Sequence, residues 1–280
     1  MTVPHATVRV DFGSLQNNVL HRIRQTMTRV TFGLAAAKAL PDGQTKMPDV
    51  FVHMRFSEPL VASENVRQNL ACWITATGLR EGIEALEGFV NEVRFILGLQ
   101  AERGLKAEED TTLPRLLREA RSKHLRDFER KAWKNKIGVL RSRFGLRVDL
   151  TKELLSINKV RNCLTHREGI VSEHDINDTK SNSLVLEYRC MEVVKRGEDA
   201  EEVLLGPDSR VNAGEAVLLK TEVSTKRFNI GDRIRLTAQE VVHIMMTLHA
   251  FGICLVKEAF EHGRRCGIPT EPPKPLEPSA

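Results

Sequence analysis

The chain has 280 residues and a formal net charge of +5 at pH 7, and its 41% hydrophobic and 28% charged content excludes a disordered or fibrous protein. The first residues lack the pattern of a secretory signal, and the most apolar stretch, residues 241–256, is shorter than the roughly 20 residues that cross a bilayer. Five cysteines without a C-x-x-C pair argue against a disulfide framework or a thiolate zinc site, so we expect a cytoplasmic protein without metal, other cofactor or membrane attachment.

Apolar periodicity predicts two helices in the first part of the chain. A helix at about 14–40 and the loop that follows it make up an N-terminal segment, residues 1–60. A longer helical region at 61–100 carries an apolar face that repeats every three or four residues. Gly78 and Gly82 lie inside this region, and because glycine weakens a helix they mark positions where it could kink or split.

The next helical region is strongly basic. It is predicted to begin near Thr112, to break at 122–124 and to end at Gly145. Residues 115–147 contain twelve lysines and arginines but three acidic residues, a net charge of +9 that suits a polyanion. Low aromatic content favours phosphates over stacked bases as contacts. The expected RNA-binding residues are Arg126, Arg130, Lys131, Lys134, Lys136 and Arg141. The alternative is an ordinary basic face above a buried apolar stripe.

A further helix follows the basic region. Its apolar residues recur with the period of one buried helix face: Leu154, Ile157, Val160 and Leu164. Asp149 or Thr151 is expected to cap its start, and Gly169 is expected to end it. Cys163 falls inside the pattern, where a buried and inert thiol is expected.

The end of this helix carries the motif R-N-x-x-x-H, from Arg161 to His166. A guanidinium can hold a phosphate oxygen and an imidazole can move a proton near neutral pH, so the pair suits phosphodiester cleavage. About one such pair is expected by chance in this composition. Asn162 and His166 share a face, whereas Arg161 is offset from His166 by about 140°, so convergence requires a frayed last turn. Alternatively, His166 and Arg167 merely complement the helix dipole.

The last third of the chain is predicted to contain a small antiparallel sheet and one more helix. Strands at 184–194 and 216–225 and a short strand at 233–236 form a β-rich insert at 184–236. Thr237 and Glu240 form a capping box for a helix that ends near His262. The remaining residues, 263–280, are rich in proline and are expected to be a disordered tail.

With the motif late on a helix, a basic helix before it and a long helix after it, the chain resembles the HEPN superfamily over residues 62–262. The specific part is R-N-C-L-T-H at 161–166, which matches that family's R-x4-6-H pattern, including the polar residue after arginine. The resemblance implies a mainly α fold, a HEPN-like helical bundle at 61–262, to which this chain adds the antiparallel β insert. It also implies a homodimer in which two motifs face one cleft.

The same resemblance implies a function. Many HEPN domains are metal-independent endoribonucleases, often toxins or defence effectors. Arg161 would then stabilise the scissile phosphate, His166 would transfer a proton, Asn162 would orient the site, and the product would end in a 2′,3′-cyclic phosphate. An antitoxin or another protein is a further expected partner beside RNA. Two alternatives stay open: a noncatalytic HEPN-like dimerisation protein whose insert recruits a partner, and a nucleotide or RNA sensor that binds without cutting.

Overall fold

The computed structural model describes residues 10–40, 44–45, 60–61, 63–101, 113–196, 202–204, 209–210, 216–267 and 270–271. Its elements in chain order are β1 (Val10–Asp11), α1 (Phe12–Ala39), β2 (Gln44–Thr45), β3 (Leu60–Val61), α2 (Glu64–Ala101), α3 (Leu113–Glu129), α4 (Trp133–Phe144), α5 (Thr151–His166), β4 (Ser183–Arg196), β5 (Glu202–Leu204), β6 (Ala216–Asn229), α6 (Ala238–Arg265) and β7 (Thr270–Glu271). The predicted coarse fold class is therefore confirmed: the chain is mainly α with a small antiparallel sheet.

The N-terminal helix α1 belongs to the main core. Its Leu20 and Ile23 are fully buried in the same apolar cluster as residues of α2 and α6. Phe12, at the start of α1, meets Phe260 of α6 edge to face, with ring centroids 6.4 Å apart. The predicted division at residue 60 therefore does not separate α1 from the core of the remaining chain. Most of the loop predicted between α1 and residue 60 lies outside the described residues.

Helix α2 is continuous through both of its predicted weak points. A Cβ atom at Gly78 would lie 2.1 Å from Val30 Cγ2 of α1, and one at Gly82 would lie 2.9 Å from Met245 Sδ of α6. Because these contacts leave no room for a side chain, the two glycines let neighbouring helices approach α2 closely. Helix α2 is therefore not split at either glycine.

The predicted break at 122–124 is wrong, because α3 continues to Glu129 and the chain turns only before α4. Phe128 and Trp133 flank this turn and are both buried, so it brings two large aromatic side chains into the core. Gly145 ends α4 as predicted: its φ is 65° and its N–H donates to the Arg141 carbonyl.

The sheet has the strand order β5-β4-β6, and both pairings are antiparallel. The predicted strands at 184–194 and 216–225 are confirmed and are slightly longer than expected, whereas β5 was not predicted. The predicted strand at 233–236 is wrong. Arg233 makes only an isolated bridge with Ile170, which attaches this segment to the turn after α5.

Side chains cover the edge of β4 opposite β6. Asn177 bonds both the N–H and the C=O of Val185, at 2.7 and 2.8 Å, and the Ser156 hydroxyl bonds both backbone groups of Glu187, at 2.9 and 3.0 Å. The Thr247 hydroxyl accepts from the N–H of Arg189 at 2.9 Å. One loop side chain and two helix side chains thus take the place of a neighbouring strand.

Helix α6 begins at the predicted capping box. The Thr237 hydroxyl accepts from the Glu240 N–H, and the Glu240 carboxylate accepts from the Thr237 N–H at 2.7 Å. By length and composition α6 could cross a membrane, but 56% of its most apolar window is buried inside this fold. The helix continues to Arg265, and β7 pairs with β1, so part of the predicted tail is ordered, while residues 272–280 lie outside the described residues.

Candidate functional site

Helix α5 carries the motif and packs against two parts of the molecule. Its predicted apolar face is confirmed, since Leu154, Ile157 and Val160 are almost completely buried in the core. On the side of the sheet, the Glu153 carboxylate accepts from Arg189 of β4 at 2.9 Å. These contacts fix which face of α5 is directed outward.

The start of α5 differs from the prediction. Leu150 is the N-cap residue, with a left-handed φ of 62°, and no side chain caps the helix. The Thr151 hydroxyl instead donates to the Val148 carbonyl at 2.8 Å, and Asp149 makes no capping bond. The capping prediction is therefore wrong. The Leu150 side chain packs against the core, and this apolar contact accompanies a conformation that is unfavourable for leucine.

The last turn of α5 is intact. The N–H of Arg167 donates to the Cys163 carbonyl at 2.9 Å, and Gly169, with a φ of 76°, donates to the same carbonyl at 3.2 Å. The frayed turn that was expected to let Arg161 reach His166 is therefore not present. The predicted burial of Cys163 is confirmed, and burial raises the pKa of its thiol to about 11, which disfavours the reactive thiolate.

No described hydrogen bond joins the three predicted catalytic residues, and the spacing on α5 offsets Arg161 from His166. His166, the last residue of α5, is exposed, and Asn162 lies one turn earlier on the same side. Arg161 is half-buried, and the charges of Glu87, Glu84 and Arg80 of α2 act on it. Arg161 and His166 share neither a hydrogen bond nor an ion pair in the described structure. The two groups lie on different sides of an unbroken helix.

Among the described residues, two polar atoms of α5 are buried without a hydrogen-bond partner: Arg161 Nε and Asn158 Oδ1. Burial lowers the pKa of Arg161, and the charges of Glu87 and Glu84 oppose that effect. Buried polar atoms without partners are uncommon in folded proteins, so this polar flank of α5 is a candidate for contact with another molecule. Sequence reasoning missed Asn158, although it lies three residues before Arg161.

A buried ion pair fixes the chain just after the motif. Arg167 donates to both carboxylate oxygens of Asp175, which is fully buried, and Ser172 donates to it at 2.8 Å. Burial alone would raise the pKa of Asp175, but the hydrogen bonds from Arg167 and Ser172 outweigh it, so the pKa lies below its ordinary value. Arg167 therefore anchors the loop after α5, a role that the sequence did not predict.

The predicted RNA-binding residues fall into three groups. Arg126, Arg130, Lys131 and Lys134 are exposed on α3, the turn and α4. Arg141 is exposed as well, but it donates to the Thr151 hydroxyl at the start of α5. Lys136 is fully buried, so its assignment as an RNA contact is corrected.

Lys136 is buried because the fold gives its charge a partner. Its Nζ donates to Glu87 and Asn91 of α2 and lies within about 6 Å of the Phe128 and Trp133 ring centroids. The ammonium thus joins α4 to α2, and it is not available to a ligand at the surface.

A cleft of about 450 Å³ lies at the end of α5 that carries His166. Leu164 lines it together with Arg233 and Arg235, which are exposed and alternate with apolar residues in the segment after β6. The Ile234 N–H donates to the Gly169 carbonyl at 2.8 Å, which joins that segment to the turn after α5. No carboxylate is among the described residues that line the cleft, so it suits an anionic group.

His166 is not among the described residues that line the cleft, and Leu164, which does line it, lies on the other face of α5. The exposed imidazole and the two exposed guanidinium groups therefore share one end of α5 but not one cleft. An imidazole can transfer protons and guanidinium groups can hold phosphate oxygens. The sequence signal for the two arginines was the R-I-R-L alternation at 233–236. No protein-family model, no curated protein and no solved structure matches this chain.

Proposed function

We propose that the chain is a metal-independent endoribonuclease of the HEPN type that acts in the cytoplasm as a toxin or defence effector. The observation that carries this proposal is the exposed imidazole of His166 at the end of α5, with Asn162 one turn earlier on the same face. Arg233 and Arg235 add positive charge at the same end. A polyanion could therefore approach His166 from solvent.

In the proposed reaction, the ribose 2′-hydroxyl attacks the adjacent phosphorus. His166 accepts the hydroxyl proton, the new 2′-O–P bond forms, and the bond from phosphorus to the 5′-oxygen breaks as that oxygen takes a proton from water. The products are a 2′,3′-cyclic phosphate and a free 5′-hydroxyl. DNA lacks the attacking hydroxyl, so it is expected to remain uncut.

Arg161 has the role of stabilising charge on the phosphate, while Asn162 orients the site. In this chain Arg161 lies on the flank of α5 and keeps only part of its surface exposed, so it would meet a phosphate from the side of α2. A homodimer in which two motifs face one cleft would supply a second guanidinium to the same RNA strand. An antitoxin or another protein would restrain the activity.

Cleavage of RNA by the purified protein in excess chelator tests the proposal. Wild-type protein should cut RNA but not the DNA of the same sequence, and the products should carry 2′,3′-cyclic phosphate ends. His166→Ala and Arg161→Ala should each abolish cutting. His174→Ala is the matched control, because His174 is an exposed histidine in the loop that follows α5. Unchanged cleavage by both motif variants would reject the assignment.

The separation of Arg161 from His166 favours a second candidate, a noncatalytic HEPN-like protein that dimerises and binds a partner. In that case the polar flank of α5 would serve recognition, and the β insert would recruit the partner. Substitution of Arg161 or His166 would then change the oligomeric mass measured by light scattering without any nuclease activity in the wild-type protein. Dimers of unchanged mass in both variants would contradict this reading.

A further inference from the structure

The outer edge of β6 has backbone groups that no described strand pairs with. Side chains bond the outward backbone groups of β4 at 185, 187 and 189, so the residues of β4 between them bond to β6. In an antiparallel ladder a residue directs its N–H and C=O to the same side. The odd-numbered residues of β6, from 217 to 227, therefore direct both groups away from β4.

Apolar side chains lie exposed beside this edge. Val217 and Val223 of β6 are 53% and 51% exposed, and Val193 of β4 is 42% exposed. All three occupy odd-numbered positions of the β4–β6 ladder, so they share one face of the sheet. A strand edge that no described strand pairs with, next to exposed valines, is typical of a surface that accepts another strand.

The charges of β6 favour pairing of two copies about Thr221 over pairing about Val223. Lys220 and Glu222 lie on the same face, with Lys220 Nζ and Glu222 Oε1 3.1 Å apart. If two β6 strands pair about a two-fold axis at Thr221, each Lys220 lies opposite Glu222 of the partner subunit. An axis at Val223 would instead place Lys220 opposite Lys226 of the partner subunit. Pairing about Thr221 also places odd-numbered residues opposite odd-numbered residues. This is needed because the odd-numbered residues of β6 are the ones that direct their N–H and C=O groups away from β4.

We propose that β6 pairs antiparallel with β6 of a second copy about Thr221, which joins the two sheets into one. This inference does not rest on the proposed nuclease function. Helix α5 contacts β4 at the edge opposite β6, through Ser156 and Glu153, so the two α5 helices lie on the outer sides of the joined sheet. A cleft shared by two motifs would then need a second interface.

Substitution of Thr221 by proline tests the pairing directly. The Thr221 N–H points outward, so proline removes a donor that β6 does not use toward β4, at an edge where proline is tolerated. Sedimentation and light scattering over a dilution series should show a wild-type dimer, and Thr221→Pro should raise its dissociation constant about tenfold or more. Thr221→Val keeps the N–H and should leave the dimer unchanged. Circular dichroism confirms that each variant is folded.

A charge exchange tests the register without any change to the backbone. Lys220→Glu and Glu222→Lys should each weaken the dimer, because like charges then face each other across the axis. The double variant restores opposite charges and should restore the dimer. A wild-type monomer at every concentration would overturn the proposal, as would a dimer that neither Thr221→Pro nor the single charge variants weaken. RNA cleavage is measured separately, so failure of either proposal can be recognised on its own.

Discussion

The two ends of α5 differ in whether the charges around them are available. At the first residue, Thr151, the hydroxyl accepts from Arg141, and nearby α4 holds Lys136 in a buried ion pair. At the last residue, about 22 Å away by helix geometry, His166 is exposed at the end where Arg233 and Arg235 also reach solvent. Lysine and arginine are densest in the sequence before the first end, and the buried Lys136 shows that a charge counted along the chain is not always available at the surface.

The largest expected difference between the ends is in catalysis. His166→Ala should slow RNA cleavage by about a thousandfold, the scale of a lost general acid or base. Asp149→Asn, an exposed residue just before the other end of α5, should leave the cleavage rate unchanged. Single-turnover rates in chelator measure both. Equal losses in the two variants would mean that the ends do not differ in function.

The Arg167–Asp175 pair should dominate stability at the end that carries His166. Asp175→Asn leaves Arg167 without its anion and should lower the free energy of unfolding by about 3 kcal/mol. The pKa of Asp175 in the fold lies below its ordinary value of 3.8. The contribution of Asp175 to the free energy of unfolding is therefore present above pH 3.8 and is lost as the pH falls through the lowered pKa. Urea unfolding at several pH values measures this. Asp149→Asn, an exposed site at the other end, should have little effect.

Substitution of Lys136 and of Lys134 should show which lysine of α4 stabilises the fold and which only carries charge at the surface. Lys136→Ala should lower the free energy of unfolding by about 2 kcal/mol, because Glu87, which is partly exposed, loses its buried partner. Lys134→Ala should change it by less than about 0.5 kcal/mol, since Lys134 is exposed. Denaturant midpoints give both values. A large loss of unfolding free energy in the Lys134 variant would show that the two lysines do not differ in this way.

The smallest expected effect concerns RNA affinity. Combined replacement of Arg233 and Arg235 by alanine should weaken RNA binding severalfold and reduce the slope of log affinity against log salt by about two. Combined replacement of Arg126 and Arg130 is the matched test of the basic helices. Fluorescence anisotropy over a salt series measures both. A larger slope change in the second variant would favour the basic surface of α3 and α4.

The periodicity of the sequence predicted the main helices and the central hairpin, but it did not predict how they meet. Local signals placed a break at 122–124, whereas burial of Phe128 and Trp133 determines where the chain turns. The alternation at 233–236 correctly indicated buried Ile234 and exposed arginines, yet a strand also needs a partner, and this segment makes only one bridge.

The candidate site could be predicted only in part. Helical spacing correctly placed Asn162 and His166 on one face and offset Arg161, but the contact of Arg161 with α2 depends on tertiary packing. The burial of Lys136 had a sequence signal, because Lys136 lies three residues after Trp133 and four before Leu140, on the apolar face of α4. The Arg167–Asp175 pair had none, since it depends on the path of the loop.

The covered edge of β4 sets a limit on self-association. Asn177, Ser156 and Thr247 satisfy its backbone groups from the side, and none of them offers a further ladder to a neighbouring chain. A sheet with two accessible edges can add copies without end and grow into a fibre. These three short side chains close β4 at 185, 187 and 189, so on that side of the sheet a further copy would have to pair with β5, which is three residues long.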